Sequence, residues 1–179
     1  MKKLHKQQGV GLVEVLVALI ILALGVLGFS ALQLRALSAA QDATEQSVAM
    51  STARDLAERM RVNRTALNEY KVAINDNADV DTCEGVVSKD ALSPLPSKIS
   101  LPVCNATTMA EYDATEVLAN AADYGQTVVV ADCVGSNLNC IYVAWGETEI
   151  SETDLDECID STTGAYIAGT KCLVMEAYE

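Results

Sequence analysis

Near its N-terminus the chain has a run of 20 uncharged residues between Glu14 and Arg35, which reads VLVALIILALGVLGFSALQL. A helix of this length, at about 1.5 Å per residue, spans about 30 Å, the thickness of the hydrocarbon part of a bilayer. The run contains no proline, and its two glycines are tolerated in a membrane helix. The sequence therefore predicts one helix that crosses a membrane once.

The distribution of charge indicates how this helix is oriented. Lys2, Lys3 and Lys6 precede the run, and basic residues that flank a membrane helix stay in the cytoplasm. From Thr65 to Glu179 the chain has 20 acidic and 4 basic residues, a net charge of −16. This acidic part is expected on the far side of the membrane. Because it repels phosphate backbones, we predict no nucleic-acid partner.

All six cysteines lie in the acidic part of the chain. An even number of cysteines outside the membrane indicates disulfides and an oxidising compartment, with buried free thiols as the alternative. We favour pairs of sequence neighbours, and the pair that flanks a predicted hairpin loop is the firmest of the three. These pairs are Cys83–Cys104, Cys133–Cys140 (the hairpin pair) and Cys158–Cys172.

A stripe of mostly small residues continues beyond the uncharged run at steps of four and three residues, as on one face of a helix. We expect this helix to run from about Leu12 to Val62. Its second half, from about Ser47, is expected to pack on a sheet of the same chain, and its first half to face other subunits. The stripe comprises Leu32, Ala36, Ala39, Ala43, Gln46, Met50, Ala53, Ala57 and Met60.

The remaining sequence predicts a small mixed domain. Residues 75–106 contain all three prolines and are expected to form an irregular connection. Thr108 and Glu111 match a capping box, which predicts a short helix over residues 109–123. Three strands are predicted after it, the first two as a hairpin: Gln126–Asp132, Cys140–Trp145 and Lys171–Tyr178.

No catalytic constellation is visible in the sequence. The single histidine, His5, precedes the uncharged run, so the acidic part has no histidine to activate a serine or a cysteine. No phosphate-binding glycine loop occurs. We therefore predict that the chain is not an enzyme and has no cofactor.

The acidic segment from Glu147 to Asp160 has the composition of a calcium site. Its carboxylates, among them Asp154, Asp156 and Asp160, are oxygen ligands of the kind that calcium prefers. Their spacing is not that of an EF-hand, and the glycine of that loop is missing. We predict a solvated acidic loop and no metal.

The start of the chain carries a more specific pattern, KQQGVGLVEVLVALIIL. A short basic leader ends in Gly9, the apolar run follows at once, and Glu14 stands fifth after that glycine. A carboxylate in a membrane segment is costly and is by default functional. The pattern resembles the prepilin signal of type IV pilins and pseudopilins, in which cleavage follows a glycine and a glutamate is fifth in the mature chain. The continuation to Arg64 resembles in particular the PilV family of minor pilins, also called type IV pilus modification proteins.

The resemblance implies an α+β fold, the type IV pilin fold, with a long N-terminal helix packed on a small antiparallel sheet. It implies cleavage by the prepilin peptidase after Gly9, N-methylation of Val10 and a role for Glu14 in subunit assembly. The expected segments are a leader (1–9), a transmembrane and assembly helix (10–34), an extension of that helix onto the head (35–64) and an acidic head domain (65–179).

The resemblance also implies a minor pilin that is first held in the bacterial inner membrane, with a cytoplasmic N-terminus and a periplasmic head, and later reaches the pilus. Its expected partners are other minor pilins, the major pilin, the peptidase, the inner-membrane assembly platform and the membrane. Its expected role is to prime assembly of the pilus and its tip, with effects on adhesion or twitching motility. A pseudopilin of a type II secretion system and a membrane-tethered binding domain remain as alternatives.

Overall fold

The computed structural model describes residues 11–80, 83, 86–88, 98–100 and 104–177 of the 179-residue chain. It contains one long helix, a 3-10 turn, two shorter helices, a two-stranded ladder and a three-stranded sheet. In chain order these are α1 (Leu12–Val62), the turn Arg64–Ala66, α2 (Leu67–Asn75), β1 (Val86–Ser88), β2 (Lys98–Ser100), α3 (Ala106–Asp123), β3 (Gln126–Asp132), β4 (Asn139–Trp145) and β5 (Cys172–Glu176).

The long helix α1 has the bounds that the sequence predicts, Leu12 and Val62. It is rich in alanine and leucine, which have high helix propensity. Arg59 and Arg61 lie in its last turn, where cations interact favourably with the negative end of the helix dipole. The chain divides into two compact units, and their boundary falls inside α1, after Thr44.

The three C-terminal strands form an antiparallel sheet in the order β3-β4-β5. The β3-β4 hairpin pairs Val130 with Ile141, and β5 then pairs Met175 with Ile141. The hairpin that the sequence predicts is confirmed. The third strand, Cys172–Glu176, is shorter than the predicted Lys171–Tyr178, whose last residue lies outside the described residues.

One face of this sheet forms the main core with the helices. From the sheet it takes alternate residues such as Val130, Ile141 and Leu173, all of them buried. From α1 it takes residues one turn apart: Ala49, Ala53, Leu56 and Met60. The prediction of a long helix packed on a small antiparallel sheet is therefore confirmed.

The other face of the sheet has a smaller core of its own. Val129 and Tyr142 lie on this face, and the loop that leads to β5 covers them with Cys158 and Ile159. Cys158 is fully buried, although many of its neighbours in the loop are exposed carboxylates. The carboxylates from Glu147 to Glu157 are exposed, as in a solvated loop, but the apolar residues of the same loop, Ile150, Leu155, Cys158 and Ile159, pack on the sheet.

Two predictions about the middle of the chain are also wrong in detail. Helix α3 begins at Ala106 rather than Met109, because Asn105 is its N-cap. The Asn105 side chain accepts a hydrogen bond from the Thr108 backbone N–H (2.9 Å), and the Thr108 hydroxyl accepts one from the Asn105 N–H (3.0 Å). The connection expected to be irregular contains the antiparallel ladder of β1 and β2, in which Val87 pairs with Ile99.

Three disulfides link the domain, and they join the cysteines that sequence proximity favours. Cys133–Cys140 closes the β3-β4 hairpin loop, and Cys158–Cys172 ties the acidic loop to the start of β5. The third disulfide, Cys83–Cys104, joins the segment after α2 to the residue before the N-cap of α3.

Candidate functional site

The candidate site is the first part of α1, whose side chains from residue 11 to residue 47 are all exposed. We call this stretch the exposed segment. By length and composition α1 is able to cross a membrane. The rest of the chain buries no part of its most apolar stretch. The large apolar side chains exposed here are Leu12, Val13, Val15, Leu16, Val17, Leu19, Ile20, Ile21, Leu22, Leu24, Val26, Leu27, Phe29, Leu32, Leu34 and Leu37.

Glu14 lies in the first turn of α1, and its backbone N–H donates to the Gly11 carbonyl at 2.9 Å. A carboxylate in the first turn interacts favourably with the positive end of the helix dipole. Glu14 is the single ionisable residue between residues 11 and 34. The two predicted processing residues, Gly9 and Val10, lie outside the described residues.

Two of the four hydroxyl groups in the exposed segment donate to backbone carbonyls one turn earlier in the helix. Ser30 Oγ donates to the Val26 carbonyl, and Thr44 Oγ1 donates to the Ala40 carbonyl, each at 2.9 Å. A hydroxyl without a partner in an apolar environment would cost several kcal/mol. These bonds therefore suit the segment to lipid or to a packed protein interior.

The rest of α1, residues 48–62, packs on the head domain, and we call it the packed segment. Burial begins at Val48 and Ala49, close to the predicted start at Ser47. Four residues form the buried face of this segment. Two of them, Ala53 and Met60, belong to the predicted stripe, and the other two, Ala49 and Leu56, do not. The predicted stripe residues Met50 and Ala57 lie at its margin, half-buried. Gln46 is exposed.

Polar contacts fix the packed segment at its two ends. Just before the packed segment, Lys171 Nζ donates to Glu45 Oε2 at 2.7 Å, and within its first turns Thr52 Oγ1 donates to Gln126 Oε1 at 2.8 Å. Gly146 leaves the space for the lysine, because a Cβ at this position would lie 3.0 Å from Lys171 Cδ.

At the far end of α1, Asp113 of α3 joins three helices. It accepts hydrogen bonds from Arg59 of α1, at 2.7 Å, and from the Tyr70 hydroxyl of α2. Burial raises the pKa of Tyr70, and the hydrogen bond to Asp113 raises it further. Burial alone would lower the pKa of Arg59, but its bonds to Asp113 and Asp55 outweigh that effect and raise it.

Sequence reasoning did not find this cluster. Its residues are 43 and 54 positions apart along the chain, and no local motif connects them. The sequence offers one weak signal. Arg59 and Tyr70 lie on helical segments, and such side chains need polar partners if they are buried.

Several carboxylates of the acidic loop accept hydrogen bonds from the loop itself. Asp154 accepts from the backbone N–H of Asp156 at 3.2 Å. Asp160 accepts from the Thr162 hydroxyl and from the backbone N–H groups of Thr163 (2.8 Å) and Thr162 (2.9 Å), and these hydrogen bonds lower its pKa to about 2. The described residues contain no group of three histidine, cysteine, aspartate or glutamate side chains placed to hold a metal ion.

Comparison with known proteins gives two matches that adjoin each other along the chain. Residues 4–30 match the prokaryotic N-terminal methylation motif, and residues 31–115 match the Tt1218-like family, described as type IV pilin Tt1218. No curated protein and no solved structure matches the chain.

The fold and the two matches agree on one class of protein. A long N-terminal helix on a small antiparallel sheet is consistent with the type IV pilin fold, and pilins are structural rather than enzymatic proteins. The chain is similar to a type IV pilin over residues 31–115 and has the methylation motif over residues 4–30, and together these matches support a pilin role. The methylation motif and the exposed apolar helix indicate a membrane and pilus-assembly partners.

Proposed function

We propose that the chain is a minor pilin of the type IV pilus, of the PilV kind. It is inserted in the bacterial inner membrane with its head in the periplasm, and it helps to prime assembly of the pilus and its tip, with effects on adhesion or twitching motility. The observation that best supports this proposal is the exposed segment, an apolar helix without cover in its own chain and with a methylation motif at its start.

Insertion and assembly place the same surface in two apolar environments. Burying one leucine side chain is worth about 1.5–3 kcal/mol, so the exposed segment cannot remain in water. Lipid covers it before assembly, and helices of neighbouring subunits cover it in a filament. When the helix moves from lipid into protein, the amount of apolar surface shielded from water hardly changes. Packing and polar contacts therefore decide whether the subunit enters the filament.

Glu14 supplies such a polar contact. An unpaired carboxylate in an apolar filament core would cost several kcal/mol. Cleavage after Gly9 would create a new cationic amino terminus at Val10, and the two charges would lie about one helical turn apart. We infer that Glu14 pairs with the amino terminus of a neighbouring subunit, and that this pair reports the correct axial register.

The acidic head supports a minor rather than a major subunit. The net charge of −16 between residues 65 and 179 would make adjacent identical heads repel each other. The repulsion acts over about 8–10 Å at physiological salt, which is the range of direct contacts between heads. A few copies surrounded by less acidic subunits avoid it.

The test is a deletion of the gene in its own host, complemented by the wild-type chain or by Gly9→Val. We expect fewer pili and weaker twitching in the deletion. The wild-type chain in sheared pili should begin at Val10, with the mass of one added methyl group. Gly9→Val should remain a longer chain in the inner membrane.

Two results would contradict the proposal. One is a mature chain that begins well beyond Val10. The other is a deletion with normal pili and a loss of protein secretion instead, which would point to a pseudopilin.

A further inference from the structure

The three-stranded sheet has two edge strands, β3 and β5, and they differ in how their outward backbone groups are covered. The β3 edge is closed by α2. The Asn75 side chain donates to the Val130 carbonyl at 2.8 Å and accepts from the Val130 N–H at 3.0 Å, as a neighbouring strand would. These bonds leave no backbone group of Val130 open to another chain.

In the part of the chain that the structure describes, no helix or strand covers the β5 edge. Lys171 and Ala177 direct their backbone groups towards β4, with bonds from Trp145 N–H to the Lys171 carbonyl (3.0 Å) and from Ala177 N–H to the Asn139 carbonyl (2.7 Å). Backbone direction alternates along an antiparallel strand, so Cys172, Val174 and Glu176 direct theirs outwards. No strand among the described residues pairs with this outer side.

One side chain occupies the centre of the open edge. The Tyr166 hydroxyl accepts from the Val174 N–H at 2.9 Å and donates to the Val174 carbonyl at 3.4 Å. A residue of an added strand would make the same two bonds. Tyr166 is 56% exposed, so its ring has little packing to hold it in this position.

We propose that the outer edge of β5 is a strand-pairing surface for an extended segment of another pilin subunit, and that Tyr166 closes this edge in the isolated chain. The inference rests on the proposed function, which places the chain among other subunits. An open edge is a template for pairing with another chain, and side chains that cover edges prevent unwanted pairing. Because the Tyr166 side chain is able to move away, the same edge can be closed in the isolated chain and paired with a strand in the pilus.

Charge decides which segment fits this edge. Glu176 is exposed at the end of the edge, and the head around it carries a net charge of −16 over residues 65–179. A second copy would bring the same charge to the edge, whereas a segment with basic residues would offset it. A shallow hollow beside the edge, lined in part by Val134, Ile159 and Val174, suits an apolar side chain of the added strand.

The test uses three variants of the full chain, expressed from its own locus. Val174→Pro removes the outward N–H without removing a bond to β4, because proline is tolerated on a strand whose N–H faces outwards. Val174→Ala is the matched control, since it trims the same side chain and keeps the N–H. Tyr166→Phe removes only the hydroxyl that closes the edge.

A photocrosslinking amino acid at position 170, at the start of the edge, is activated in sheared pili. Mass spectrometry of the joined peptides then identifies the segment in contact. The wild type and Val174→Ala should crosslink to a segment of a different pilin subunit. Val174→Pro should reduce the yield about tenfold, and Tyr166→Phe should raise it about fivefold, the effects expected for one or two backbone-type hydrogen bonds.

Intact disulfides and an unchanged melting temperature establish that Val174→Pro is folded. If that variant does not fold, Glu176→Pro removes the next outward N–H in its place. Chain present in pili without a crosslink, crosslinks to a second copy only, or a yield unchanged by the proline would overturn the strand-pairing surface. An unchanged yield in Tyr166→Phe would overturn the closing role of Tyr166. Absence of the chain from pili would instead contradict the proposed function.

Discussion

Helix α1 contains two segments that differ in what covers them. Leu27 in the exposed segment is 67% exposed, and Leu56 in the packed segment is fully buried, although both are leucines of one continuous helix. The packed segment finds its partners in the same chain, on the inner face of the sheet. The apolar side chains of the exposed segment have to be covered by lipid or by other subunits. Substitutions in the two segments should therefore affect different properties of the protein.

We expect the largest effect from Glu14→Ala, which should impair assembly into pili and no other step. The variant should still be cleaved and inserted, because neither step needs the charge, but its incorporation into pili should fall about tenfold or more. A lost partner leaves a buried charge unpaired, which costs about 3–5 kcal/mol.

Quantitative immunoblots of sheared pili at normal expression measure this loss. Glu14→Gln should behave like Glu14→Ala. Glu58→Ala is the matched control, because its ion pair with Arg61 is exposed and contributes little. Incorporation of Glu14→Ala at the wild-type level would mean that the carboxylate has no role in assembly.

Leu56→Ala should have the second largest effect, and it should fall on the stability of the head. Removing a buried leucine costs about 2–5 kcal/mol through lost burial and the cavity left behind. Leu27→Ala makes the same chemical change in the exposed segment and should leave this stability within about 0.5 kcal/mol.

Denaturant unfolding of the full chain in detergent gives the free energy of unfolding, and the single tryptophan, the buried Trp145, reports it. Equal losses for the two leucine variants would contradict the division of α1 into independent segments.

Asp113→Asn should have a smaller effect, because it weakens one end of the packed segment only. The amide keeps the size of Asp113 but removes the charge that pairs with Arg59 and accepts from Tyr70. We expect a loss of about 1–3 kcal/mol. Asp55→Asn is the control, since Asp55 pairs with the same arginine but its side chain is 47% exposed, and it should lose under about 1 kcal/mol. A larger loss for Asp55→Asn, measured by the same unfolding assay, would contradict the role of Asp113.

The smallest effect concerns pH, and it should be confined to the head. The pKa of Asp160 is lowered from 3.8 to about 2, so its contribution to stability is fully present above the ordinary pKa and is lost as pH falls towards 2. Asp160→Ala should therefore flatten the dependence of the melting temperature on pH in that window. An unchanged slope in the variant would show that other carboxylates cause the dependence.

Several elements were predictable because their signals are local. The bounds of α1 follow from an apolar run and a continuous helical stripe, and those of β3 from a short run of β-branched residues before a turn. The N-cap Asn105 was missed, because Thr108 with Glu111 is an equally good capping pattern and only the path of the chain before the helix distinguishes the two.

The Arg59–Asp113–Tyr70 cluster and the Tyr166 contact with Val174 were not predictable in the same way. Each depends on residues that become neighbours only after the helices and the acidic loop have packed on the sheet. A tyrosine in an exposed loop has no pattern in the sequence that distinguishes a strand-edge contact from free solvent exposure.

The sequence by itself determined that an apolar helix with one carboxylate lies near the N-terminus and that an acidic, cysteine-containing domain follows, because hydropathy, charge and helical periodicity are properties of neighbouring residues. Only the tertiary structure decided that Ala49 and Leu56 are buried on α1 while Met50 and Ala57 lie at the margin, that the acidic loop packs Cys158 on the outer face of the sheet, and that β5 is left with an outer edge closed by one hydroxyl. The physical reason is that burial and edge pairing depend on which distant surfaces meet, and in this chain the sheet covers the packed segment of the helix and leaves the exposed segment to other molecules.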